Sequence, residues 1–134
     1  MAKKQKTISK LRQQLDRVFN AYIRSRDLVD GNFTCISCGI VKGKDQMNAG
    51  HFWAAGKYTA VRWDEDNVHG QCVSCNCFLH GNLYEYGKRL KAIIGQTRFL
   101  VLEKAAYSTF KLDRQWLEER IVYYKDKLNN SPKN

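Results

Sequence analysis

The sequence predicts an α+β domain in which a short centre of strands and turns, stapled by cysteines, is flanked by amphipathic helices. Three observations lead there. Two Cys-x-x-Cys pairs, Cys35/Cys38 and Cys72/Cys75, bracket the centre. Apolar residues recur at helical spacing on both sides of it, while turn signals and strand-like runs fall within it. At 134 residues, with 43% hydrophobic and 12% aromatic, the chain suits one domain with a modest core, to which a staple adds stability. One domain in three parts is expected: a basic N-terminal helix in 1–32, a core in 33–82 and C-terminal helices in 83–134.

Segment 1–6 is basic and reads as a frayed tail able to touch phosphates. A helix then starts at Thr7 or Ser9, either of which can cap exposed amides. Ile8, Leu11, Leu15, Val18, Phe19 and Tyr22 form its apolar stripe. Asp30-Gly31-Asn32 is a turn leading to Phe33-Thr34-Cys35, and 41–46 reads as a loop. Segments 47–53 and 58–63 are expected to pair as a hairpin around 54–57, with a short helix at 75–79 stopped by Gly81. Further helices are expected over 83–94, stopped by Gly95, over 96–107, and over 114–128 with Asp113 as its cap. Leu83, Tyr86, Leu90 and Ile94 face the core in the first of these, and Leu117, Ile121, Tyr124 and Leu128 in the last. The Trp116, Tyr123 and Tyr124 stripe reads as core or a dimer face, and 129–134 as a polar tail.

Net charge is +10 and unevenly placed. Residues 1–26 hold eight Lys/Arg against one acid, 27–82 four against six, and 83–134 eleven against six. This distribution favours a polyanionic partner, with nucleic acid first. Lys10, Arg12, Arg17, Arg24 and Arg26 lie off the first apolar stripe, and Lys88, Arg89 and Lys91 off the second, so these eight are the DNA-contact candidates. A membrane partner is disfavoured, because no long apolar run or lipidation signal is present.

The four paired cysteines match the ligand set of a closed tetrahedral zinc site. Disulfides are disfavoured because no secretory signal is seen. A closed site leaves no position for substrate, so chemistry must come from other residues. His51, Asn67, Asn76 and His80 stand out, at successive intervals of 16, 9 and 4. The last interval puts both side chains on one face of a helix. Cys77 is left over and is expected to be small and buried.

The order Cys-x-x-Cys, His, Asn, Cys-x-x-Cys-Asn resembles the HNH, or His-Me finger, nuclease motif, in which a β-hairpin and a helix clasp one divalent cation. Phe19–Asp27, Cys35-Ile-Ser-Cys-Gly39, Ala49-Gly-His51, Arg62–Asn67, His69-Gly-Gln-Cys72, Cys75-Asn76 and Gly81-Asn82 together resemble the phage NinG, or Rap, recombination nuclease family. That resemblance implies a ββα-metal core and hydrolysis of branched DNA, Holliday junctions and D-loops, to products with 5′-phosphate ends. It also implies a cytoplasmic location in a bacterial host. His51 would be the general base, Asn67 the residue that fixes the loop behind it, and Asn76 the last position of the motif. Asn76 with His80 or Asn82 would hold Mg²⁺ or Mn²⁺. Gly50 stands where many HNH enzymes have a metal-serving Asp or His, so Asp64, Asp66 or His51 itself become substitutes. Symmetric cutting of a junction would need two active sites, hence a homodimer. A noncatalytic zinc module that binds DNA and recruits partners accounts for the cysteines and the charge, but not for the His51, Asn67 and Asn76 spacing. A sequence-specific HNH duplex nuclease is the third reading, disfavoured by the absence of a separate reading domain.

Overall fold

Thr7 opens the first helix, its hydroxyl accepting the Lys10 backbone N–H at 3.1 Å and satisfying one of the amides that a helix start leaves unpaired. The computed structural model, which describes residues 4–131, carries this helix, α1, over Ile8–Asp27. Of the expected tails, residues 1–3 and 132–134 lie outside the described residues. Leu11, Leu15, Phe19 and Ile23 are buried at every fourth position. The stripe is therefore straighter than expected: Ile8 is exposed, and Val18 and Tyr22 are only partly covered.

The centre holds two antiparallel pairs. Strand β1 (Asn32–Thr34) pairs with β2 (Val41–Gly43), and β3 (Met47–His51) pairs with β4 (Val68–Cys72), with His51 opposite Val68 and Met47 opposite Cys72. Two expectations are corrected. The segment 41–46, read as a loop, supplies β2 and a 3-10 turn, Lys44–Gln46. The partner of β3 is not 58–63, which contains a 3-10 turn at Thr59–Val61. That segment bridges two apolar clusters instead: Val61 packs against the second helix and Trp63 against α1. All five residues of β4 are buried, so its sequence lacks the alternation that marks a half-exposed strand.

Asn67 closes the excursion between β3 and β4. Its Oδ1 accepts the Trp53 N–H at 2.8 Å, and its Nδ2 donates to the carbonyls of Trp53 and Val61, both at 3.0 Å. The side chain is fully buried, and every polar atom on it is used.

After β4 the expected helix at 75–79 is a π turn, Ser74–Phe78. Cys75 and Asn76 lie within it, but His80 lies beyond it. His80, Gly81 and Asn82 then take positive φ angles of 50°, 86° and 44°. For two non-glycine residues this costs about 1–2 kcal/mol each, and it reverses the chain within three residues. Helix α2 (Leu83–Ala106) follows, broken at Gly95 as the sequence predicts. Tyr86, Leu90 and Ile94 are buried, whereas Leu83 is exposed. Helix α3 (Arg114–Asn129) is capped by the Asp113 carboxylate, which accepts the Trp116 N–H at 2.8 Å.

Helices α1 and α3 pack around Phe19, Leu117 and Tyr124, with Phe19 edge-on to Tyr124 at 4.9 Å. Tyr123, on the same helix, is exposed. Helix α2 packs on Ile36, Trp53 and Val61, and a third small cluster joins Phe33 and Met47 to the cysteines. The architecture is thus α+β, with two-stranded sheets lying between helices. No helix among the described residues is long and apolar enough to cross a membrane.

Substituting Asn67 by Ala should lower stability by on the order of 3 kcal/mol, because three buried backbone groups lose their partner. The change should appear as a lower urea midpoint at unchanged slope. A loss below about 0.5 kcal/mol would mean that the loop closes without this amide.

Candidate functional site

The four sulfurs of Cys35, Cys38, Cys72 and Cys75 lie within 4.8 Å of one another, and Cys38 Sγ is 3.9 Å from Cys72 Sγ. Four thiolates at about 2.3 Å from one tetrahedral zinc would stand about 3.8 Å apart, whereas a disulfide needs about 2.05 Å. The cysteines are free thiols that could hold a metal ion such as zinc. Backbone N–H groups of Cys38 and Cys72 donate to Cys35 Sγ at 3.5 and 3.3 Å, and that of Cys75 donates to Cys72 Sγ at 3.4 Å. Burial raises the Cys35 thiol, but backbone N–H bonds from Cys72, Cys38 and Ser37 outweigh it and bring the thiol down to about 7. Burial pushes the Cys75 thiol up to about 12, so loading a metal releases protons. Asn82 belongs here: its Nδ2 donates to Cys75 Sγ at 3.5 Å. Cys77 is exposed rather than buried, its sulfur accepting from Asn48 Nδ2 at 3.6 Å.

Beside this cluster is a cleft of about 300 Å³ lined by His51, Asn76 and His80, with Ala49, Ala55 and Leu83 among its apolar walls. His51 enters from the end of β3, Asn76 from the π turn, and His80 from the left-handed reversal. The expected single helical face for Asn76 and His80 does not form, because the π turn ends at Phe78, yet the reversal brings both to the same cleft. His51 Nε2 lies 2.8 Å from the Arg62 carbonyl oxygen. A carbonyl oxygen only accepts, so Nε2 carries the hydrogen and Nδ1 keeps the lone pair. Burial lowers the His51 pKa below its usual 6.5, opposed by the bond to the Arg62 carbonyl.

Two residues not singled out in the sequence set this geometry. Asp16 on α1 accepts from Arg62 Nε and Nη2 at 3.0 and 2.7 Å and from Trp63 Nε1 at 2.9 Å. Arg62 Nη1 also donates to the Ala55 carbonyl at 3.2 Å. The carbonyl that fixes His51 is therefore held by an ion pair to α1. Arg62-Trp63 was visible as a basic-aromatic pair, but its partner 46 residues upstream was not.

Among the described residues, no carboxylate lines the cleft. Asp64 is turned inward on its own loop, its Oδ1 accepting the Asp66 N–H at 2.9 Å, and burial raises its pKa. Asp66 is ion-paired with Arg98. His69 is buried against Tyr86, whose hydroxyl donates to the Gly50 carbonyl at 2.7 Å. Burial, aided by the nearby Arg26 charge, pushes the His69 pKa down to about 4.

Among the DNA-contact candidates, Arg26 is engaged within the fold. Its guanidinium bonds to Asp27 and to the carbonyls of Glu65 at 3.0 Å and Val68 at 2.8 Å, so it clamps α1 to the start of β4. The Arg89 guanidinium lies over Gly39. Lys91 sits 4.8 Å from the Phe99 ring centroid, and Lys88 lies 3.7 Å from Glu85. Lys10 and Arg17 are exposed on α1, while Arg12 and Arg24 are half-buried.

A family model described as Bacteriophage Lambda NinG protein matches residues 1–134. The protein named Protein ninG of Escherichia phage 933W is 40% identical over 84 residues, covering 63% of this chain and 40% of that protein. The same-named protein of Escherichia phage lambda is 39% identical over 84 residues, covering 63% and 39%. That of Salmonella phage P22 is 40% identical over 83 residues, covering 62% and 39%. The chain thus spans about two fifths of the length of the curated relatives it matches. No solved structure matches significantly.

Two outcomes are expected. Metal analysis of the purified chain should find about one zinc per molecule, and stripping it with a strong chelator should unfold the centre. Recovery of metal-free protein with unchanged circular dichroism would contradict this. His69 binds a proton in the unfolded chain near pH 6.5 but in the folded chain only near 4. Stability should therefore fall as pH drops through that window, by up to about 1.4 kcal/mol per pH unit. Urea titrations of wild type and His69→Gln across that range should show a shallower dependence in the variant.

Proposed function

The chain belongs to the NinG family, and from that premise we propose that it is a metal-dependent endonuclease acting on branched DNA such as four-way junctions and D-loops. In this reading β3, β4 and the π turn are a compact ββα-metal core of the HNH class, with zinc on the four cysteines as its staple. The observation that carries the reading is the convergence of His51, Asn76 and His80 on one cleft, with the His51 lone pair confined to Nδ1.

His51 Nδ1 takes the proton from the water that attacks phosphorus. The Arg62 carbonyl stabilises the imidazolium that results, because Nε2–H then donates to it more strongly. Asn67 holds the loop from Trp53 to Val61, keeping the end of β3 in place. The Asn76 amide oxygen and the His80 imidazole are the cleft groups that would hold a Mg²⁺ or Mn²⁺. Such a cation, when bound, stabilises charge on the phosphate and the leaving 3′ oxygen. Lys10, Arg17, Arg24 and the α2 cations grip the backbone, which makes binding salt-dependent. Two copies acting together would cut a junction symmetrically, in the cytoplasm of the infected host.

One observation favours a second reading, a zinc-holding DNA-binding or recruitment module without catalysis: the cleft offers no carboxylate to a hard cation. Labelled four-way junction, D-loop, single-stranded and duplex DNA, incubated with Mg²⁺, Mn²⁺ or EDTA, separates the two. The nuclease reading expects metal-dependent cutting of branched DNA that His51→Ala reduces at least a hundredfold while binding persists. The rate should fall with acidification through a pKa below 6.5, since the base must be neutral and burial lowers that pKa. Tight binding with no cutting under any metal would favour the recruitment module.

A further inference from the structure

Among the described residues, four large aromatic side chains are exposed, and two of them lie against another ring: Tyr107 is edge-on to Tyr58 and Tyr123 edge-on to Tyr124. Phe78 and Tyr84 make no such ring contact, and at 75% and 77% they are the most exposed of the four. They stand on the two limbs of the left-handed reversal, Phe78 at the end of the π turn and Tyr84 in the first turn of α2. The same short segment gives the cleft Asn76, His80 and Leu83. Leu79, next to Phe78, is exposed as well. Large apolar side chains gathered in water on one rim mark an interaction surface. The reversal that presents them is well tied: the Gly81 N–H donates to the Cys75 carbonyl and the Asn82 N–H to the Leu79 carbonyl, both at 2.8 Å, and Asn82 Nδ2 donates to Cys75 Sγ. The two rings are therefore held out by the turn that joins the cysteine cluster to α2, and a partner has little to order on binding them.

Charge decides what covers them. Lys88 Nζ sits 5.1 Å from the Tyr84 ring centroid, and the lysine side chain is itself mostly exposed. Residues 76–91 hold Lys88, Arg89 and Lys91 against one acid, Glu85. Aromatic faces interleaved with cations suit a nucleic-acid strand, whose bases stack while its phosphates pair with Lys and Arg. An apolar protein face would instead desolvate the lysine without replacing its water.

We propose that Phe78 and Tyr84 form a stacking platform for unpaired bases of a DNA strand whose backbone enters the cleft. The proposal rests on reading the cleft as a DNA site. A base inside a continuous duplex has both faces covered by its neighbours and cannot lie on either ring. The platform therefore selects strands that are single or unstacked at a branch, and the preference is built into the rim of the cleft rather than into a separate reading domain.

The test uses the zinc-loaded full chain without added divalent cation, so that DNA is bound and not cut. Fluorescence anisotropy over a range of salt compares labelled single-stranded, four-way and continuous duplex DNA on wild type, Phe78→Ser and Tyr84→Ser, with zinc content and thermal melting as folding controls. Each substitution is expected to weaken binding of the single strand and the junction at least about fivefold and of the duplex less than about twofold. The salt slope should not change, because a stacking contact releases no counterion. In parallel, 5-iodouracil at the unpaired positions should photocrosslink to Phe78 or Tyr84 in wild type. Folded variants that bind all three DNAs as wild type does, or that lose duplex binding equally, would overturn the platform while leaving the cleft as a DNA site. A wild-type dimer that either substitution dissolves with DNA binding unchanged would overturn it too and give this rim to a second copy of the chain. If wild type binds none of the DNAs, the DNA reading of the cleft falls together with the platform. Selective loss of junction binding in a chain that cuts under no metal would uphold the platform and sink the nuclease.

Discussion

The constraint on which the rest depends is the meeting of four sulfurs at the end of β4. Cys72 is both the last residue of that strand and a member of the cluster, and its N–H donates to Cys35 Sγ. Because Cys72 is paired with Met47, the sulfur geometry sets the register of β3 on β4. A slip of one residue would turn every side chain of β3 to the other face and carry His51 out of the cleft. Three-residue strands such as β1 and β2 have little register preference of their own, so the clustering of the four sulfurs does what a larger sheet would do by hydrophobic patterning.

From that anchor the site is fixed on three sides by different kinds of bond. The Asp16–Arg62 ion pair ties it to α1, the Tyr86 hydroxyl ties Gly50 to α2, and Asn67 ties the loop to itself. Each bond joins residues far apart in sequence and is buried or half-buried, where a lost partner costs most. The two helical clusters hold these ties apart. The cleft is therefore a gap between two small cores rather than a hollow within one, and it can stay open to a polymer.

What was legible in the sequence was local. Thr7 and Asp113 announce helix starts through short-range capping, Gly95 marks a break by its backbone freedom, and the cysteine spacing carries its own ligand geometry. Helix α1 could be located for the same reason, whereas His51 and Asn76 stood out by residue type and by resemblance to the HNH motif. Strand β4 was missed because burial of His69 and Gln71, made possible by partners on other elements, erased the alternation that would have marked it. His80 was placed on a helix because its interval from Asn76 is helical; the three successive left-handed residues that carry it into the cleft depend on tertiary contacts. Arg26 looked like any surface cation, since nothing nearby in sequence reveals the two β4-region carbonyls it binds.

The charge distribution takes a different meaning once these pairs are known. Three of the six acids of the centre are held in ion pairs, Asp27 with Arg26, Asp66 with Arg98 and Glu65 with Lys127, and Asp16 of α1 is held by Arg62. The acidic character of residues 27–82 therefore does not create a negative cleft. On the proposed reading, a cation there is held by neutral donors and gains its main electrostatic partner only when a phosphate arrives. Cation and DNA then bind cooperatively, because each supplies charge that the other lacks. The cations on α1 and α2 would, on that reading, draw the DNA first. On that same reading, a cleft without its own carboxylate would tie metal loading to the presence of the polyanion.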